Sequence, residues 1–220
     1  FLKYNARLLN ELQPKVFVME NVTGMVKGCM KQAYLQIIKT LRECGYRAKG
    51  EVLNAMYFNV PQSRERVIII GVREDLGIEP SHPKPQGKPV TVKEAFTGLT
   101  DDVSARVVPK QGSKTASQMA KVKPGEACSL HHSHKRLSWI KPSPTVDRGG
   151  GAGEWHIWHP EKDRPITVHE VKRLASFPDG FMFAGNIGDA FTRIGNSVPP
   201  NLMFYIAEHI KVNILEVHHA

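Results

Sequence analysis

Glu20 follows the apolar run Val16-Phe17-Val18-Met19 and precedes Asn21 and Val22. A carboxylate delivered from a dry segment has little reason to be there unless something pairs with it, because an unpaired buried charge is costly. Further on, Val60-Pro61-Gln62-Ser63-Arg64-Glu65-Arg66 places an amide and two guanidiniums at every second position. In an extended segment Gln62, Arg64 and Arg66 point to one side together. Such a face suits a group that presents acceptor oxygens. The plainer alternatives are a glutamate that caps the next helix and an exposed edge ladder with its charges in water. The presence of an acid and two arginines in one chain argues for a site.

The elements that must position these residues are legible around them. Pro14 ends a helical segment with apolar positions at Leu8, Leu9 and Leu12, and Val16 to Met19 lacks the alternation of a half-wet strand. It reads as a central strand covered on both faces, with Glu20 at its carboxyl end, the edge where open α/β sheets bind ligands. Lys31 to Cys44 has helical spacing through Tyr34, Ile37, Ile38 and Leu41, and Gly45 is placed as its stop. Strand, loop and helix make half of a βαβ unit. Glu51 to Ala55 and Arg66 to Val72 read as two more strands, the second buried.

From about Asp75 the pattern changes. Pro80, Pro83, Pro85 and Pro89 punctuate an entry loop, Thr91 to Phe96 reads as a short helix, and the remainder to Val146 is basic without a clear period. Cys128 and the histidines to His134 lack a second ligand cluster, so they predict a nucleic-acid-facing loop rather than a metal site. Arg148 to Gly153 predicts a flexible connector, since no strand leads in and no helix follows. Thr167 and Glu170 form a capping box for a helix to Ser176, stopped by Phe177-Pro178-Asp179-Gly180. Gly195-Asn196-Ser197-Val198-Pro199-Pro200 turns into a last helix with Leu202, Met203, Ile206 and Ile210 on one face.

Composition bounds the rest. At 220 residues the chain holds one large domain or two small ones. No apolar run is long enough to span a membrane and no signal peptide is visible. Cys29, Cys44 and Cys128, odd in number and widely spaced, predict a reducing compartment: cytoplasm and nucleoid in a bacterium, nucleus in a eukaryote. The formal net charge is +9, and from Ser81 to Arg148 there are 12 Lys and Arg against 5 Asp and Glu. A polyanion is the natural partner of that stretch, the alternative being a solvated basic surface.

Taken together these segments resemble the cytosine-C5 DNA methyltransferases, which move a methyl group from S-adenosyl-L-methionine to a flipped-out cytosine. Glu20-Asn21-Val22 is similar to the family's Glu-Asn-Val motif, and Gln62, Arg64 and Arg66 to its Gln-x-Arg-x-Arg motif. Arg164, Thr167, Glu170, Arg173 and Phe177-Pro178-Asp179 resemble its ninth motif, and Gly195-Asn196-Ser197-Val198 its tenth. Lys141-Pro142-Ser143-Pro144-Thr145 resembles the close of its target-recognition region. The resemblance implies an α/β fold, part of a doubly wound, mostly parallel sheet, with a smaller irregular recognition domain. It divides the chain into 1–75 and 185–220 for the catalytic domain and 76–184 for recognition of duplex DNA.

The resemblance also implies roles. Methylating C5 needs a nucleophile at C6, and a carboxylic acid bonded to N3 and the exocyclic amine makes C6 electrophilic; that acid is Glu20, best with its pKa raised by a dry pocket. Arg66 binds the cytosine O2, Arg64 helps hold the nucleophile and phosphate region, Asn21 and Gln62 bind substrate, and Asn196 and Val198 contact the cofactor. The chain departs from the family in having no Pro-Cys pair upstream of Glu20 and no glycine-rich cofactor turn. It begins at Phe1, so the expectation is a carboxyl-terminal portion, inactive without an amino-terminal one supplied in cis or as a second subunit. Asn59 replaces the usual Gly before Val-Pro-Gln, and Asn tolerates a left-handed backbone. A regulatory DNA-binding homologue without catalysis remains an alternative. The transfer-RNA-methylating branch is another, although its Cys-Phe-Thr signature is absent.

Overall fold

The computed structural model describes residues 2–26, 30–100, 114–129, 133–147 and 156–217. The chain forms two compact units, one of Phe1–Asn54, Glu65–Pro85 and Met203–Ala220, the other of Ala55–Arg64 and Gln86–Leu202.

In the first unit, helix α1 (Leu2–Leu12) leads to strand β1 (Val16–Val22), helix α2 (Lys31–Glu43), strand β2 (Tyr46–Asn54) and strand β3 (Glu65–Arg73). The sheet order is β1-β3-β2, with β3 antiparallel to both neighbours. β1 and β2 therefore run the same way, joined by α2, with β3 between them. The expected parallel relation is kept, but across an intervening strand. The centre of this sheet is β3, whose Val67, Ile68, Ile69, Ile70 and Val72 are buried. The expectation of a doubly covered β1 is corrected: Val16 to Asn21 are half-buried and Val22 is exposed. β3 is its one strand partner among the described residues.

Gly45 adopts φ +83° directly after α2 and its N–H returns to the Arg42 carbonyl, the stop its sequence position predicts. One face of α2 buries Ile37, Ile38 and Leu41. Together with Tyr46 and Val67 they form one apolar cluster, and the Tyr46 hydroxyl donates to the Pro14 carbonyl. Gly71, opposite Phe17 across the strands, leaves room for that ring, since a Cβ there would lie 2.0 Å from it. On α1 Leu9 is buried, while Tyr4, Leu8 and Leu12 are exposed.

The second unit carries α3 (Val92–Phe96), α4 (Lys114–Met119), β4 (Lys135–Arg136), β5 (Ile157–Trp158), α5 (Val168–Leu174) and α6 (Ile187–Asn196). Its core gathers Val92, Leu137, Ile166, Leu174, Phe191 and Ile194. Capping boxes start α3 at Thr91, α5 at Thr167 and α6 at Asn186. α7 (Pro200–Ile210) opens on a proline, where a missing N–H costs nothing, and buries Leu202, Ile206 and Ile210.

The units divide elsewhere than at residues 75 and 184. α6 belongs with α5 because Phe191 and Ile194 share a core with Val171 and Leu174. Residues 61–63 belong there because their backbone bonds to Ser143. No described helix is long and apolar enough to cross a membrane.

Candidate active site

Glu20 stands opposite Ile68 on the β1–β3 ladder, and Arg66 stands opposite Val22. Paired residues share a face of the sheet, so Glu20 and Arg66 are diagonal neighbours on one face. Their side chains meet, with Arg66 Nε 2.8 Å from Glu20 Oε1, at 15% and 30% exposure. Arg66 Nη1 also donates to the Glu65 carbonyl. The result is an oriented acid–guanidinium pair that is neither dry nor freely solvated, so a planar ligand with its own donors and acceptors can engage both groups. Asn21, one step along the strand, falls on the opposite face, and its Oδ1 accepts from the Val22 N–H. It does not join the pair.

Gln62 and Arg64 belong to the second unit and are buried, at 1% and 3% exposure. The acceptors they find are the chain's own. Arg64 donates to the carbonyls of Val146, Gly195 and Ser197, and Gln62 to that of Leu174. The expected single row of three ligand-facing groups therefore divides: Gln62 and Arg64 meet carbonyls of their own unit, and Arg66 meets Glu20. Asn196 closes α6 with its side chain exposed, and Val198 follows half-buried in the turn. Asn59 takes φ +54°, the left-handed backbone its replacement of glycine predicts.

The ninth-motif residues form scaffold. Arg164 meets Glu170 through two bonds of 2.9 and 2.8 Å, both side chains buried, while Glu170 accepts from the Thr167 N–H. Arg173 pairs with Asp179 nearer the surface and holds that carboxyl below its usual range. His159 packs beside Glu170, and burial is the main cause that lowers its pKa to about 4. Its Nδ1 accepts from the N–H groups of Glu161 and Lys162, bonds a proton there would break. An unfolded His titrates near 6.5, so between about 4 and 6.5 the unfolded chain binds more protons than the folded one. The stabilisation from neutral His159 is complete above 6.5 and lost as pH falls towards 4, on the order of 3 kcal/mol at the limit. Urea melts followed by tryptophan fluorescence should show this loss in the wild type and a flatter profile in His159→Gln. Trp139 and Trp158 both report on this unit.

One feature of the second unit has no signal in the sequence. A cavity of about 740 Å³ runs past β4 and the 141–145 segment, with Lys135 and Lys141 beside Glu126, Ser133, Thr145 and Asp147. Its walls come from stretches far apart in the chain, so no local pattern could announce it. His134 is buried against His156 rather than facing outward, which corrects the expectation for that histidine. His131 and His132, the connector at 148–153 and Cys29 lie outside the described residues. Among the described residues no three metal-ligating side chains come together.

The model of the C-5 cytosine-specific DNA methylases matches residues 2–212. The Type II methyltransferase M.NgoFVII of Neisseria gonorrhoeae is 35% identical over 226 residues, 93% of this chain and 60% of that protein. M.Eco47II of Escherichia coli is 32% identical over 237 residues, 96% of this chain and 57% of that protein. The chain thus spans a little over half the length of these relatives. In three dimensions it matches a protein described as a DNA modification methyltransferase encoded within an E. coli prophage, with TM-score 0.77 and 25% identity. That match covers 96% of this chain and 72% of the other. The S. pombe Dnmt2 methyltransferase shares the fold at TM-score 0.62 and 17% identity, over 92% and 68% of the two chains. With this α/β methyltransferase fold and a family match over nearly its whole length, the chain belongs to the C-5 cytosine-specific DNA methylase family.

Proposed function

We propose that this chain is the carboxyl-terminal portion of a DNA cytosine-C5 methyltransferase of a restriction-modification system, which methylates C5 of a cytosine flipped out of duplex DNA. The observation that carries the reading is the Glu20–Arg66 pair at 2.8 Å on one sheet face. In complex with the base, Glu20 takes up a proton, shares it with N3 and accepts from the exocyclic amine, which draws electrons from the ring and opens C6 to a nucleophile. Arg66 orients Glu20 and donates to O2. Extruding the base costs roughly a few kcal/mol, which these contacts help offset. Asn21 and Gln62 support substrate binding through the backbone they fix. The 1–54 and 65–85 segments act in catalysis, and the basic second unit recognises DNA.

The nucleophile is a cysteine supplied by the amino-terminal portion. Cys44 and Cys128 are poor candidates because both are buried, and no cysteine in the sequence follows a proline. The edge of β1 that no described strand covers and the exposed Tyr4, Leu8 and Leu12 of α1 offer surface for that portion to cover. S-adenosyl-L-methionine supplies a methyl group carried on a sulfonium. Asn196, with an exposed carboxamide, and Val198, half-buried, fit one edge of it; they make no cradle, and the main binding turn lies outside this chain.

The cavity with Lys135 and Lys141 is the DNA-facing groove of the second unit. Its lysines contact phosphates, and its carboxylates and hydroxyls suit base edges. Duplex affinity measured by anisotropy should fall steeply with salt, and Lys135→Ala with Lys141→Ala should flatten the log–log slope by about 2. A slope unchanged by the double substitution removes this groove from the interface. The reaction is tested by digesting DNA methylated by the complete enzyme to nucleosides for mass spectrometry. Label in 5-methylcytosine supports the proposal, and label on an exocyclic nitrogen refutes it.

A further inference from the structure

Segment 61–64 runs beside segment 143–146. The Ser63 N–H donates to the Ser143 carbonyl at 2.8 Å, and the Ser143 N–H to that of Pro61 at 2.9 Å. Gln62 and Arg64 then bracket Val146, whose N–H donates to Gln62 Oε1 at 3.1 Å and whose carbonyl accepts from Arg64 Nη1 at 3.0 Å. Each side chain also reaches a helix end. Gln62 Nε2 donates to the carbonyl of Leu174, the last residue of α5, at 3.3 Å. Arg64 Nη2 donates to the carbonyls of Gly195 at 2.7 Å and Ser197 at 3.1 Å, one on either side of Asn196.

The chemistry favours a guanidinium here. The last carbonyls of α6 have no partner within the helix and form its negative end, so a fixed cation is stabilising. A planar fork serves acceptors from two segments at once, which an ammonium on a flexible stem does not. At 3% exposure the group is already enclosed by protein.

We infer that Arg64 is a positioning residue for the cofactor edge: it fixes the backbone on both sides of Asn196 and so presents Asn196 and Val198 to S-adenosyl-L-methionine, leaving contact with the base to Arg66. The inference rests on the assignment of Asn196 and Val198 to that edge. It separates the two arginines of one motif into independent functions, one acting through backbone and one on substrate.

The test compares Arg64→Lys, Arg66→Ala and Asn196→Ala in the complete enzyme, with the Kd for S-adenosyl-L-methionine from equilibrium dialysis and the affinity for plasmid-derived duplex DNA. Deuterium exchange over residues 194–198 is followed in parallel. Arg64→Lys should raise the cofactor Kd about tenfold, as loss of one charged hydrogen bond does, and leave duplex affinity within about twofold. It should also speed exchange over 194–198. Arg66→Ala should leave the cofactor Kd unchanged. If Arg64→Lys is too poorly folded to assay, Arg64→Gln, which keeps one amide donor, must show the same pattern. A raised Kd in Asn196→Ala with no change in the Arg64 variants overturns the inference and spares the cofactor edge. No change in Asn196→Ala overturns both.

Discussion

Glu20→Gln in the complete enzyme is expected to lower methyl transfer roughly 10²- to 10⁴-fold, the range for loss of a positioned general acid, while duplex DNA binds as before. The substitution keeps the shape of the side chain and an oxygen that can still accept from Arg66 Nε, placed at 2.8 Å in the wild type. On the proposed mechanism, what it removes is the proton the carboxylic acid shares with ring N3. The loss should therefore appear in kcat with little change in KM for DNA, because the interaction strengthens as C6 is attacked. Steady-state methylation of duplex DNA is the measurement. Turnover within about twofold of wild type would remove Glu20 from the chemistry.

The second large effect is on stability. Glu170→Gln should destabilise the second unit by about 3–5 kcal/mol, since it leaves the Arg164 guanidinium buried without its counter-charge. Arg164 and Glu170 are 5% and 7% exposed at the side chain and joined by two hydrogen bonds, and Glu170 also closes the Thr167 capping box. Asp179→Asn provides the contrast. Its partnership with Arg173 is 59% exposed on the acid side, so breaking it should cost about 1 kcal/mol or less. Urea unfolding followed by tryptophan fluorescence distinguishes the two. Equal losses would mean that burial does not govern these pairs.

How much of this was legible depends on how local each cause is. The Thr167–Glu170 box, the Gly45 stop and the left-handed Asn59 were readable because each is decided within a few residues. α6 escapes the sequence pattern although Ile187, Ala190, Phe191 and Ile194 have helical spacing and Asn186 caps it, because Gly195 and Asn196 read as a turn rather than as the helix end. Alternation correctly gave Gln62 and Arg64 a common side. It could not say that their acceptors would be the carbonyls of Val146, Leu174 and Gly195, contacts made across more than eighty residues of chain. An unbroken apolar run likewise cannot tell the middle of a sheet from its edge, and β1 proved to have one strand neighbour among the described residues where β3 has two. The groove beside Lys135 and Lys141 is assembled from separated loops and has no sequence signature at all.

On the proposed function this chain supplies the base-contacting portion of a cytosine-C5 methyltransferase and acts only together with its amino-terminal portion. Tritiated methyl transfer to duplex DNA, measured with each portion alone and with both mixed, tests it most directly. Label is expected in DNA only with both portions present, and is expected to be lost when the chain carries Glu20→Gln. Methyl transfer by this chain alone would contradict it.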